Sequence, residues 1–213
     1  RKIVLPIDKG CQMEFEIESH RMGASLLGEP GIKEEWEEVT SAIESISEQN
    51  IMETHAAKYP KRKSISSSIN YLLKDRLVAL GWAPEALIFN NEAYHNKCFR
   101  LDFVKEKFSI EVAFNHGEAI AWNLLKPVLA SELNHVQKQV NTQLGIMIMA
   151  TEEMKAAGGF DSAVGTFEKA KRYLHPLQNQ LSCPIVLIGL KAPRTFRVNH
   201  IGNPKRAAFY SIT

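Results

Sequence analysis

The sequence predicts an α/β fold, a central mixed sheet flanked by helices, and three observations carry that prediction. Residues 99–114, FRLDFVKEKFSIEVAF, alternate apolar and polar side chains on either side of a charged turn at 105–107, the pattern of a two-stranded hairpin. Residues 145–150 (GIMIMA) and 184–190 (PIVLIGL) are short unbroken apolar runs, as expected of strands covered on both faces. Segments of helical periodicity lie between these strands. At 213 residues the chain is read as a single domain spanning 1–213, long enough for a sizeable core.

Taken in order, residues 3–5 and 13–17 read as strands of an N-terminal hairpin or edge around Asp8-Lys9-Gly10, and 25–31 as a loop. A helix is predicted over 32–49, where Ile32, Trp36, Val39, Ile43 and Ile46 recur at helical spacing and Glu34, Glu35, Glu37 and Glu38 load the first turns. Its acidic face reads as solvated surface. Residues 1–60 are thus an elaboration ahead of a core at 65–190. Residues 58–63, KYPKRK, form a basic loop, and Lys61, Arg62 and Lys63 are candidates for contacts to a polyanion or simply an exposed turn. Ser64 to Ser68 supply hydroxyls for capping a helix that ends at Gly81. Residues 82–96 read as a connector. After the hairpin comes a turn at Asn115-His116-Gly117, then a helix over 118–139 interrupted near Pro127, a short helix over 154–160, and a helix over 162–180. Residues 191–213 read as a loosely ordered basic tail. Trp82 and Trp122 are assigned to the core rather than to stacking on bases.

Charge is uneven along the chain. Residues 1–57 hold 5 Lys/Arg and 12 Asp/Glu; residues 58–213 hold 21 and 12, so an acidic front precedes a basic remainder within a net +2. That division suits a protein with one face toward a polyanion, and equally suits helices with solvated charge. Cys11, Cys98 and Cys183 are far apart, which argues against a disulfide framework or a zinc site; Cys98 and Cys183 read as small core residues. No apolar run is long enough to cross a bilayer and no secretory pattern is present, so a membrane partner is not expected and a reducing cytoplasm is the default, with targeting left open because the chain starts at Arg1.

The chemistry is concentrated in the hairpin. Asp102 and Glu111 fall on the polar faces of its two strands, where like charges repel. A divalent cation between them removes that penalty, and hard cations take carboxylate and carbonyl oxygens. The bland reading is two acids on a solvent-facing hairpin.

The order helix, hairpin with two acids, helix, strand, helix, strand is that of the PD-(D/E)xK nuclease core, and the chain resembles the type II restriction endonucleases of the BglII and BstYI group. Asp102-Phe103-Val104-Lys105 and Ile110-Glu111-Val112 with Phe114 match that group's DFVK…IEVQF hairpin, spacing included; 184–189 resembles its PLVLIG strand, and Leu73-Lys74-Asp75-Arg76-Leu77 with Gly81-Trp82 resembles its preceding helix. The resemblance implies a homodimer that cuts double-stranded DNA at a short palindrome with Mg2+, leaving a 5′-phosphate and a 3′-hydroxyl. It implies Asp102, Glu111 and the Val112 carbonyl as metal ligands, Asn115 and His116 as base-contacting loop residues, Ser162 in a second reading loop, and a GATC core in the site. Ser162 also reads as a plain helix cap, and His116 as a turn residue or a base.

One departure stands out. Where the group has Gln, and many relatives Lys, this chain has Ala113, so the side chain that helps position the attacking water is missing. Three readings follow: another residue supplies the role, with Asn96, Arg100, Lys105 and Lys107 the nearby polar candidates; the chain was altered to be inactive; or it is an inactive relative that only binds DNA. A nuclease of the same superfamily without sequence specificity is a further possibility.

Overall fold

The computed structural model describes residues 11–132 and 135–212. The strand expected at 3–5 lies outside the described residues. Six strands form one mixed sheet in the order β1-β6-β5-β4-β3-β2. They are β1 (Phe15–His20), β2 (Ala83–Leu87), β3 (Arg100–Lys105), β4 (Phe108–Val112), β5 (Leu144–Ala150) and β6 (Ile185–Leu190). The hairpin pairs β3 with β4 antiparallel, β4, β5 and β6 run parallel, and β1 and β2 close the two edges antiparallel. The predicted fold class therefore holds. Among the described residues the N-terminal strand β1 stands at the sheet edge, as one of the two expected placements had it, and pairs with β6, 165 residues further on at its closest register.

Alternation along the central strands sorts side chains into two cores. Phe108 and Ile110 of β4, Ile146 and Ile148 of β5, and Val186 and Ile188 of β6 face one layer, with Leu73, Leu77 and Trp82 behind them. That layer is built from α2 (Lys33–Glu44), α3 (Glu48–Lys58) and α4 (Ser66–Ala79), and two short helices, α1 (Gly23–Leu26) and α6 (Glu152–Ala157), follow β1 and β5 in the chain. On the opposite face Ala113, Met147, Met149 and Leu187 pack beneath α5 (Ile120–Ser131) and α7 (Phe167–Leu174). These two helices lie close to the sheet. A Cβ on Gly145 would meet the Pro127 ring at 2.5 Å, and one on Gly189 would meet the Phe167 ring at 2.6 Å.

Several boundaries differ from the sequence-based expectation. The long helix at 32–49 is two helices, because Ser47 restarts it with a reciprocal cap: its hydroxyl accepts from the Asn50 N–H while the Asn50 side chain accepts from the Ser47 N–H. The helix ending at Gly81 begins at Ser66 with no side-chain cap; Ser68 is instead buried against His55. The helix after the hairpin stops at Ser131 rather than 139. The last helix starts at Phe167, capped by Thr166, so Ser162 is not a helix cap. The connector contains β2, and the tail is not loose: β7 (Phe196–Ile201) and β8 (Arg206–Ser211) form an antiparallel ribbon. The ribbon is anchored by Glu48, which is buried and accepts from the Arg194 and Thr195 amides at 2.5 and 2.8 Å and from the Thr195 hydroxyl. Trp82 and Cys183 are core residues as expected, but Cys98 is exposed and Trp122 is half-buried, its indole N–H donating to the Cys98 carbonyl.

Candidate active site

The hairpin ladder runs from Lys105–Phe108 through Val104–Ser109 to Phe103–Ile110. Beyond that pair the two acids take over from backbone pairing. The Val112 amide donates to Asp102 Oδ2 at 2.7 Å, and the Asp102 amide donates to Glu111 Oε1 at 3.3 Å. Each carboxylate is thus held by the backbone of the other strand, at the point where β3 peels away from a β4 that stays paired to β5 through Val112.

The acids do not lie on a solvent face, which corrects the expectation from alternation. Glu111 is buried, 3% exposed, because β4 is a central strand covered by α5. From that helix Lys126 reaches Glu111 Oε2 at 2.6 Å, with both side chains at most 10% exposed. Burial, followed by the charge of Asp102, pushes the Glu111 carboxyl up to about 8, against the pull of Lys126. Burial also raises Asp102, opposed by its bond from Val112. Lys126 is thus the ammonium in contact with the pair, while Lys74 acts on the half-buried Asp102 by charge from across the cleft.

Asp102 opens onto a cleft lined also by Asn70 and Lys74 of α4, Glu85 of β2, and Val112. Glu85 sits beside Asp102 in the β2–β3 register, between Pro84↔Phe103 and Ala86↔Leu101, with φ +54, and its charge adds to the rise of Asp102. Two interlocked carboxylates, short of positive charge and next to the half-buried Val112 at the cleft, make a donor set of the kind a hard divalent cation takes. Among the described residues no cluster of three or more His, Cys, Asp or Glu side chains gathers as a metal centre.

The remaining predicted residues fall into one neighbourhood. The Asn115–His116 turn is exposed and zipped to the 161–165 loop: Gly117 N–H donates to the Ala163 carbonyl, Gly165 N–H to the Asn115 carbonyl, and His116 bridges Val164. Lys63 reaches Asp161 at 2.5 Å, which holds the Asp161 carboxyl down near about 2. The basic loop therefore joins the same surface, with Lys61, Arg62 and Lys63 all exposed, and Ser162 exposed beside them. The ribbon is fastened to that loop through the Ala207 amide on the Arg62 carbonyl and His200 Nε2 on the Lys63 carbonyl.

Ala113 is 2% exposed beneath α5. None of the four polar neighbours nominated for its missing role is seen bonded to the acids. Asn96 caps a short 3-10 turn, and Lys105 is bound to Glu38 and the Leu80 carbonyl. Arg100 Nε is buried without a partner, and Lys107 lies in the turn at the far end of the hairpin. Lys126, Glu85, Asn70 and Lys74 were not picked out for a role in the site. A lone cation in the apolar helix IAWNLLKPVLAS was the one local sign of the first.

With a mixed six-stranded sheet, two acids interlocked where its hairpin opens, and a family match over residues 15–190, the chain is a restriction endonuclease, a type II site-specific deoxyribonuclease. The chain belongs to the BglII/BglIII restriction endonuclease family, whose model matches residues 15–190. Among solved structures, restriction endonuclease BglII complexed with a DNA 16-mer is similar at TM-score 0.64 and 17% identity, over 94% of this chain and 100% of that one. Free BglII is similar at TM-score 0.51 and 20% identity, over 94% and 93%. No curated protein matches the chain by sequence alone. Among the described residues, no helix is long and apolar enough to cross a membrane.

Proposed function

We propose that this chain, folded as a single nuclease domain and acting as a homodimer in the cytoplasm, hydrolyses double-stranded DNA at a short palindrome with Mg2+. The observation that carries the reading is the interlocked pair of Asp102 and Glu111, short of positive charge and open to a cleft on the Asp102 side. In this reading Asp102, Glu111 and the Val112 carbonyl hold the metal. Bound there, magnesium supplies an acidified water and neutralises charge on the phosphorus oxygens. The chain's own residues do the rest. The crossed amide bonds hold both carboxylates from the backbone, and Lys126 holds the second oxygen of Glu111. The helix α5 seals the Glu111 side from water, which strengthens every charge interaction within it. Asn115, His116 and Ser162 stand on two loops zipped into one exposed edge, suited to reading base edges in a groove. Lys61, Arg62 and Lys63 extend that edge with positive charge for the backbone. A GATC core within the site is part of this proposal.

A second reading, DNA binding without cleavage, is favoured by Ala113 alone. Digestion of a sequenced plasmid separates the two, using this chain, Ala113→Gln and Asp102→Asn, each with and without Mg2+. The nuclease reading expects discrete magnesium-dependent bands from this chain, all explained by GATC positions, and none from Asp102→Asn, which keeps DNA binding. Bands from Ala113→Gln only would establish the second reading for this chain. Cutting by Asp102→Asn at an unchanged rate would overturn the assignment of the acids.

A further inference from the structure

We infer that Lys126 is the positioning residue of the cleavage site, presenting from α5 the fixed positive charge that the strand itself, with Ala113, does not offer. The inference rests on the nuclease reading above. Three observations support it. The first is contact: Lys126 Nζ lies 2.6 Å from Glu111 Oε2, and among the described residues Glu111 is its one hydrogen-bond partner, although an ammonium carries three donors.

The second is placement. The face of β4 that carries Glu111 also carries Ala113, and both lie under α5. With a methyl group at 113, the strand's own polar neighbour to Glu111 on that face is the neutral, buried hydroxyl of Ser109, and the strand offers no cation there. The helix that covers the gap brings a cation to it. The third is energetic. Lys126 stands in a helix whose other buried residues are apolar apart from Asn123, whose amide is bonded to Asn115. Replacing a buried ion pair by well-packed apolar side chains of similar volume is often neutral or stabilising, so a buried pair is weak evidence of a purely structural role. Hydrolysis supplies a chemical one. Water attacks phosphorus and gives up a proton to solvent as the P–O3′ bond breaks; the electron pair of that bond leaves on the 3′ oxygen, which takes a proton from solvent. Negative charge builds on the non-bridging oxygens beside two carboxylates, and a cation anchored on Glu111 offsets it while fixing which way that carboxylate faces.

The test first maps the cut on a sequenced plasmid, then uses duplexes carrying either a normal phosphate or a neutral methylphosphonate at the scissile position. Metal-free binding of both duplexes is measured by fluorescence anisotropy for the unaltered chain and Lys126→Met. Measured at pH 9, where Glu111 is ionised, the metal-free acids repel that phosphate, so the neutral duplex binds more tightly. Loss of the Lys126 charge should enlarge this preference about tenfold, a coupling that a purely packing role would not produce. In Mg2+, Lys126→Met should slow single-turnover cleavage at least 100-fold while shifting affinity for unmodified DNA far less. Lys126→Arg should recover part of the rate. In the double variant Lys126→Ala with Ala113→Lys, which returns an ammonium from the strand, the rate should exceed that of Lys126→Ala at least tenfold. If Lys126→Met fails to fold, Lys126→Arg and the double variant carry the same comparison. An unchanged duplex preference, or a Lys126→Met rate equal to that of the unaltered chain, overturns the role of Lys126 and leaves the nuclease reading standing. An unaltered chain that cuts no site overturns both.

Discussion

If Glu111 holds its proton up to about pH 8, then a divalent cation must displace that proton to bind, and metal affinity must climb steeply with pH. The ordinary Glu value of 4.5 is displaced to about 8 by burial under α5 and by the neighbouring Asp102. Below the displaced value each pH unit weakens apparent affinity about tenfold, or roughly 1.4 kcal/mol. Half the carboxyl is already ionised at pH 8, so moving to pH 6 should weaken Mg2+ binding about 50-fold, roughly 2.3 kcal/mol. The sign for stability follows from the same displacement. A carboxyl whose folded value lies above its unfolded one favours the fold fully below about 4.5, and that contribution is lost as pH rises through about 8. Metal-free protein should therefore melt lower at pH 8 than at pH 5, and added Mg2+ should restore more at the higher pH. Calorimetric titration of the protein with Mg2+ at pH 6, 7 and 8, in two buffers of different ionisation enthalpy, measures both affinity and proton release. About one proton should leave per metal at pH 6 and none above pH 9. An affinity that varies less than threefold from pH 6 to 8, with no proton released, would mean that Glu111 is already ionised and that the reasoning from burial is wrong.

Two further outcomes concern the frame. Gly145→Ala places a methyl 2.5 Å from the Pro127 ring, which cannot swing aside; overpacking of about 1–3 kcal/mol should lower the melting temperature by roughly 3–10 °C, measured by scanning calorimetry. Glu48→Ala removes the acceptor for two backbone amides and a hydroxyl at the base of the C-terminal ribbon; about 3 kcal/mol of local stability should be lost, seen as faster amide exchange in 196–211 with β5 unchanged.

What could be read in the sequence was whatever the chain states locally. The runs 145–150 and 184–190 announce central strands because both of their faces are buried, and the hairpin announces itself by alternation. β2 was hidden because Ala83–Leu87, APEAL, is a short edge strand with a proline and an acid. The ribbon carried its own signal, Phe196 and Val198 inward against Arg197 and Asn199 outward, but its cationic charge drew the eye to disorder instead. At the site, the acid pair was legible from spacing, while its burial was not, because alternation says which residues share a face and not what lies over it. Lys126 belongs to that second kind. Its partner stands fifteen residues away on another element, and only the docking of α5 brings them together.

That docking gives a missing methyl group an unexpected reach. Pro127 rests on the bare backbone of Gly145, and Lys126 is the residue just before it. The gap between helix and sheet, and so the height at which the ammonium stands over Glu111, is gauged by a glycine that touches neither the acids nor the cleft. Drift at position 145 is then policed twice, once by folding and once by the site. Exposed turns such as Asn115–His116 carry no such steric gauge, so side chains should be exchanged there more readily than at this spacer.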